Sequence, residues 1–343
     1  MIALPTVLLA VLTALFLWWF STGALLWLAR CAIAPAAATG ARTEGGAIDP
    51  GTGQRDEPRG EHRDEQRGGQ KNALLGACVL LGVSLYGSAS LSGTATVEAA
   101  YLSFLCGLGA WGFVELTFLT GVLTGPVTRP CPPHATGLRR FGLAVGTLLW
   151  HELAILGVGA ALIALSWGAP NQTGAWSFAL LMALRISAKL NLFLGVPYPP
   201  TALLPRPLAH LESYFRVRRF TLLLPVAITT ATALATLIAW RAASPSIDAF
   251  SATAYALIWT LLVLGIAEHW FLILPVRESA LWRWFLERES PSDAPIGRSD
   301  TGTTHTRVIA SDTGAKNTFG PYIPITTEGT SNEKGGTASP EAA

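Results

Sequence analysis

Seven separate apolar stretches, each long enough to cross a bilayer, constrain this chain more than any other feature of its sequence. They cover residues 1–30 and then about 73–92, 98–122, 138–165, 175–196, 221–240 and 250–275. A hydrocarbon core about 30 Å thick takes roughly 20 residues of helix to cross, and in lipid a single span satisfies its own backbone polar groups only as a helix. The sequence therefore predicts an all-α polytopic membrane protein, a bundle of about seven transmembrane helices. Composition agrees: 13% of residues are charged, about half the usual share in soluble domains. The net charge of +2 leaves no broad positive field for nucleic acid. The first stretch is uncharged from Met1 to Ala29, whereas a cleaved signal begins with positive charge and has a shorter apolar core, so residues 1–30 are read as a retained helix.

Orientation follows from the loops. Arg42, Arg55, Arg59, Arg63, Arg67 and Lys71 follow the first stretch, Arg129, Arg139 and Arg140 the third, and Arg206, Arg216, Arg218 and Arg219 the fifth. The loops after the second and fourth carry no Lys or Arg, and the sixth is followed only by Arg241. Positive charge stays on the cytoplasmic side, so the N-terminus is expected outside and the C-terminus in the cytoplasm. Residues 31–71, rich in Gly, Arg, Glu and Asp, read as a disordered cytoplasmic charged linker, and residues 290–343 as a disordered cytoplasmic tail. Between the six-helix region 72–276 and this tail, residues 277–289 read as an amphipathic interfacial helix containing Trp282. Tyr214, Arg216, Arg218 and Arg219 lie in Ser213-Tyr-Phe-Arg-Val-Arg-Arg-Phe220. With Trp282 they are the candidate contacts to a partner or to the membrane surface.

Ionisable side chains inside the spans cost the most to place, about 2.5 kcal/mol or more each, and face protein or water with a partner. They are Glu115, Glu152, Arg185, Lys189 and Glu268, with Asn191 as a further polar neighbour. Counting inward from the span ends at about 1.5 Å per residue puts Glu115, Lys189 and Glu268 at roughly 10–12 Å, Arg185 at roughly 16 Å and Glu152 at roughly 20 Å. Arg185 and Lys189 share one helix face. Arg185 is expected to bridge to a carboxylate on the fourth or seventh helix. The spacings Gly121-Val-Leu-Thr-Gly125 and Gly142-Leu-Ala-Val-Gly146 suit close helix contact.

His151 and His269 are also within spans. An imidazole there either packs with its hydrogen bonds satisfied or binds the metal of a haem or bacteriochlorophyll. The second role needs a histidine that is unpaired and faces a cavity. The sequence contains no CxxCH or HExxH and no nucleophile–base pair, so no catalytic residue and no metal centre is read from it. A transporter would show helices broken inside the bilayer, and no proline interrupts a span.

Seven blocks in order carry a resemblance. They are Leu17-Trp-Trp-Phe-Ser-Thr-Gly23, Glu115-Leu-Thr-Phe-Leu-Thr-Gly121, Thr128-Arg-Pro-Cys-Pro-Pro133, Trp150-His-Glu-Leu-Ala154, Trp167-Gly-Ala-Pro-Asn-Gln172, Lys189-Leu-Asn-Leu-Phe-Leu-Gly-Val-Pro197 and Ala267-Glu-His-Trp-Phe-Leu-Ile-Leu-Pro275. Together they resemble the PuhE-type photosynthetic complex assembly proteins of anoxygenic phototrophic bacteria. The resemblance implies a non-catalytic assembly or structural factor for reaction-centre and antenna complexes in the bacterial cytoplasmic membrane, inner or intracytoplasmic. Its partners would be membrane lipids and subunits of those complexes, among them the reaction-centre H subunit. The alternatives are a bacteriochlorophyll- or haem-binding protein of cofactor supply, with His151 or His269 as ligand, and a small-solute or ion transporter. Phe113-Val114 departs from the family's Trp-His at that place, which removes one ligand candidate.

The orientation has a direct check. A protease site placed within residues 42–70 is expected to be protected in intact cells and cleaved in inverted membrane vesicles; cleavage in intact cells would reverse the map.

Overall fold

A computed structural model describes residues 4–33, 61–201, 204–219 and 221–275. The linker over 34–60, the proposed interfacial helix with Trp282, and the tail lie outside these residues. Among the described residues seven α-helices follow one another: α1 (Leu4–Ile33), α2 (Glu61–Leu91), α3 (Val97–Leu119), α4 (Gly137–Leu165), α5 (Thr173–Leu194), α6 (Leu223–Ala242) and α7 (Ala249–Phe271). All seven are long and apolar enough to cross a membrane. A 3₁₀ helix, Arg206–Tyr214, lies between α5 and α6. Large apolar side chains stay exposed on α1 (Leu8, Leu12, Phe16), α2 (Leu75, Val79, Val83) and α6 (Val226, Leu237). A bilayer covers such faces at no cost in hydrophobic free energy.

Helix α2 starts at Glu61, within the stretch read as linker. Residues 61–67 are rich in Glu, Arg and Gln, which favour helix, and they extend a helix already nucleated by the apolar span from Gly68 to Leu91.

Helix α3 is the most buried and packs against α1, α2, α4, α5 and α7. Small residues allow the close approaches. A Cβ on Gly174 would stand 2.3 Å from the Ser103 carbonyl oxygen, and the Gly174 N–H donates to Ser103 Oγ at 3.0 Å. Above this crossing Trp111 meets Phe178 edge to face at 5.4 Å. Ile155, Val158 and Leu162 of α4 complete the cluster. At the same end of the bundle the buried Asn171 acts as a polar staple. Its Nδ2 donates to the carbonyls of Leu91 (3.3 Å) and Ala99 (3.1 Å), and its Oδ1 accepts the Thr173 N–H (3.2 Å).

The opposite end gathers the basic loops. Here α3 ends three residues short of the expected 122. The N–H groups of Thr120 and Gly121 return to the carbonyls of Leu116 and Phe118, and Gly121 turns the chain at φ 76°, a left-handed position natural to glycine after a helix. Residues 121–127 then run inward beside α4. Thr124 C=O accepts the backbone N–H of His151 (3.0 Å), and Gly146 C=O accepts that of Val127 (3.2 Å). The two glycine spacings do meet, but through a loop against a helix rather than as two helices: a Cβ on Gly125 would lie 2.1 Å from the Gly146 carbonyl oxygen.

This contact leaves no room for a methyl group, whereas a Cβ on Gly142 meets nothing within 4 Å. Gly125→Ala should therefore destabilise the folded protein by about 1–3 kcal/mol. Gly142→Ala should leave stability unchanged or raise it by up to about 1 kcal/mol, as alanine favours helix over glycine. Thermal melting of both variants in mild detergent checks the pair, and equal melting temperatures would contradict the contact.

Candidate ligand cavity and intramembrane charge pairs

Arg185 and Lys189, one turn apart on α5, each meet a carboxylate on a different helix. Arg185 Nη2 lies 3.1 Å from Glu115 Oε1 of α3, an ion pair whose alignment falls outside hydrogen-bond geometry. Lys189 Nζ donates to Glu152 Oε1 of α4 at 2.6 Å. The expected bridge from Arg185 to helix four or seven is thus corrected: its partner is on helix three. The physical reason is that the helices do not end in one plane. Glu152 is about four turns into α4, yet it meets Lys189 little more than one turn from the end of α5. Helix α4 therefore starts farther out than α3 and α5 end, and the 121–127 loop fills the step.

Glu268 of α7 accepts the indole N–H of Trp18 on α1 at 3.2 Å. Asn191 is fully buried but turns back along α5, donating to the Ser187 carbonyl at 2.9 Å. It therefore stands apart from the ion pairs.

The two histidines differ sharply. His269 is satisfied on both sides: Nδ1 lies 2.7 Å from the Gly265 carbonyl and Nε2 lies 2.9 Å from Ser187 Oγ. A carbonyl only accepts, so Nδ1 carries a proton, and Nε2 pairs with the Ser187 hydroxyl. His151 is 0% exposed, and neither ring nitrogen has a hydrogen-bond partner among the described residues. The Val114 carbonyl lies near the ring but outside hydrogen-bond geometry. Phe118 stacks on the ring with centroids 4.3 Å apart.

His151, both ion pairs, Glu268 and Trp18 line one cavity of about 970 Å³, whose remaining wall is mostly Leu and Phe. Its size is that of a site for a substantial organic ligand. The Arg185 side chain is 43% exposed despite its place inside the bundle, because it faces this space. Among the described residues no group of three His, Cys, Asp or Glu side chains is placed to hold a metal ion.

The 3₁₀ helix contributes Leu208, Leu211 and Tyr214 to the cavity wall. Tyr214, expected at the surface, is buried instead, at 3% exposure. Its hydroxyl donates to the Arg129 carbonyl at 3.2 Å, and burial pushes the phenol's pKa up. Arg140 holds the segment in place. Its guanidinium donates to the Tyr214 carbonyl and, at 3.3 Å, to that of Phe193, and it stacks over the Phe193 ring at 4.4 Å. Sequence reading counted Arg140 only as a topology marker. A cation in the first turn of a helix opposes the helix dipole, and that mismatch was the available sign of another role. Arg216 is half-buried and joins the Leu192 and Val196 backbone, while Arg218 and Arg219 are exposed.

Fold and site together define a polytopic helical membrane protein with a charged cavity between its helices. The chain belongs to the family described as "Protein of unknown function (DUF3623)", whose model matches residues 62–293. It is also 37% identical over 286 residues to the "Uncharacterized 30.4 kDa protein in puhA 5'region" of Rhodobacter capsulatus, covering 83% of this chain and 93% of that one. This agrees with the PuhE-type resemblance. No solved structure matches.

The pairing generates a specific test. Arg185→Leu leaves Glu115 without its cation. A fully buried pair would cost about 3 to 5 kcal/mol to break, and the partly exposed Arg185 side chain lowers the expected loss to about 1–3 kcal/mol. Adding Glu115→Leu should recover most of the melting temperature, whereas adding Glu152→Leu should not. Equal rescue by the two would contradict the assignment.

Proposed function

We infer that this protein is a non-catalytic membrane factor for the assembly of bacterial photosynthetic reaction-centre and antenna complexes. The observation that carries the reading is the match to 93% of a protein from the puhA 5′ region of a phototroph, a place that suits a role beside the reaction-centre H subunit. The geometry supports a scaffold. The intramembrane cations pair with carboxylates of neighbouring helices, an arrangement that sets helix packing. The seven described helices run without the mid-membrane breaks that mark a transport site.

In this reading the protein sits in the cytoplasmic or intracytoplasmic membrane with its N-terminus outside and its basic end in the cytoplasm. That end exposes Arg129, Arg139, Arg218 and Arg219. Such a cluster attracts anionic lipid headgroups and suits an acidic face of a partner subunit.

Deleting the gene in the phototrophic host should lower the yield of reaction-centre and antenna complexes while their transcripts stay level; undiminished complex yield would overturn the reading. Arg218→Gln with Arg219→Gln should reduce recovery of partner subunits more than it reduces the amount of the protein in the membrane. Equal losses would restrict these arginines to topology.

A further inference from the structure

We propose that the cavity beside His151 binds a metal-centred tetrapyrrole, with a His151 ring nitrogen as the protein's ligand to the metal. The inference goes beyond the assembly reading and stands on the cavity alone. It starts from a polar group left without a partner. A buried donor or acceptor without its hydrogen bond is costly, and among the described residues none bonds either ring nitrogen of His151. Its counterpart His269, in an equally apolar helix, has both nitrogens satisfied. The bundle can therefore satisfy a histidine and does so at one of the two.

The surroundings select the ligand. The cavity of about 970 Å³ exceeds what a water or a bare ion needs, and its wall is mainly apolar and aromatic, with Trp18, Trp111, Phe118 and Phe141 among the lining side chains. A bare metal ion does not fit, because no three-residue ligand group exists among the described residues. A metal coordinated at this imidazole must bring its other ligands with it, which a planar macrocycle does through its four ring nitrogens. Lys189 and Arg185 line the same cavity as His151. A neutral imidazole carries a lone pair on one ring nitrogen. Both iron and magnesium tetrapyrroles take a neutral imidazole in this way. Phe118, half-buried and also lining the cavity, covers the imidazole face. The Thr124 carbonyl on the His151 backbone N–H holds that turn of α4 in place.

The test uses the full-length protein in mild detergent, titrated separately with ferric protoporphyrin IX, magnesium protoporphyrin IX and metal-free protoporphyrin IX. The metallated rings should bind saturably at one per chain with a shifted Soret band, and the ferric complex should show a nitrogen axial ligand by electron paramagnetic resonance. Metal-free protoporphyrin should bind at least tenfold more weakly. His151→Gly should lose the axial-ligand signature and at least tenfold in affinity, and added imidazole should restore the signature. His269→Gln should keep it. Preference for iron or for magnesium tells a haem from a chlorophyll-type ligand. Equal binding of the metal-free ring, a wild-type spectrum in His151→Gly, or a wild-type ferric complex without nitrogen ligation would each overturn the proposal. Should His151→Gly fail to fold, the wild-type resonance spectrum and the metal-free comparison still decide it.

Discussion

Two cations on one helix face within the membrane govern how the rest of this bundle is arranged. Arginine stays charged under essentially all conditions, so the segment carrying Arg185 is stable in hydrocarbon only where another element supplies an anion. Glu115 supplies it from α3, and Glu152 of α4 does the same for Lys189. Because the two cations are one turn apart, α3 and α4 must both approach the same stretch of α5. The remaining packing follows from that demand. Gly107 and Gly174 let α3 and α5 come close at the other end, and Asn171 ties the starts of α3 and α5 to the end of α2.

Ion pairs between helices also hold space open. Charged heads that meet across an interface keep the backbones farther apart than paired glycines do, and the cavity lies on this charged level of the bundle. The basic end closes around it through backbone carbonyls: Arg140 binds those of Phe193 and Tyr214, and Tyr214 binds that of Arg129. A site built this way is lined by connecting segments as well as by helices.

The seven spans were legible in the sequence because apolar length is a direct consequence of bilayer thickness. So were the ionisable residues of the site, since each is expensive in hydrocarbon and none is hidden by its neighbours. What the sequence could not supply was their pairing. Depth counted from span ends assumes that all helices stop at one plane, and the inward loop at 121–127 breaks that assumption, which moved Arg185 from an expected carboxylate on helix four or seven to Glu115. The contrast between His151 and His269 was equally invisible. It depends on Ser187 from α5 reaching one ring while no described residue hydrogen-bonds the other, a fact of three-dimensional packing. Tyr214 was misplaced because a tyrosine amid arginines reads as interfacial, whereas Arg140 draws its segment inward.

The central claim is that each cation of α5 is committed to one helix, Arg185 to α3 and Lys189 to α4. A charge exchange tests it most directly, read as the amount of folded, monodisperse protein extracted from membranes. Lys189→Glu alone should lose most of it, because two carboxylates then face each other. Adding Glu152→Lys should restore most of the yield, and adding Glu115→Lys should not. Rescue by Glu115→Lys equal to that by Glu152→Lys, or a Lys189→Glu variant that folds as well as wild type, would contradict the account.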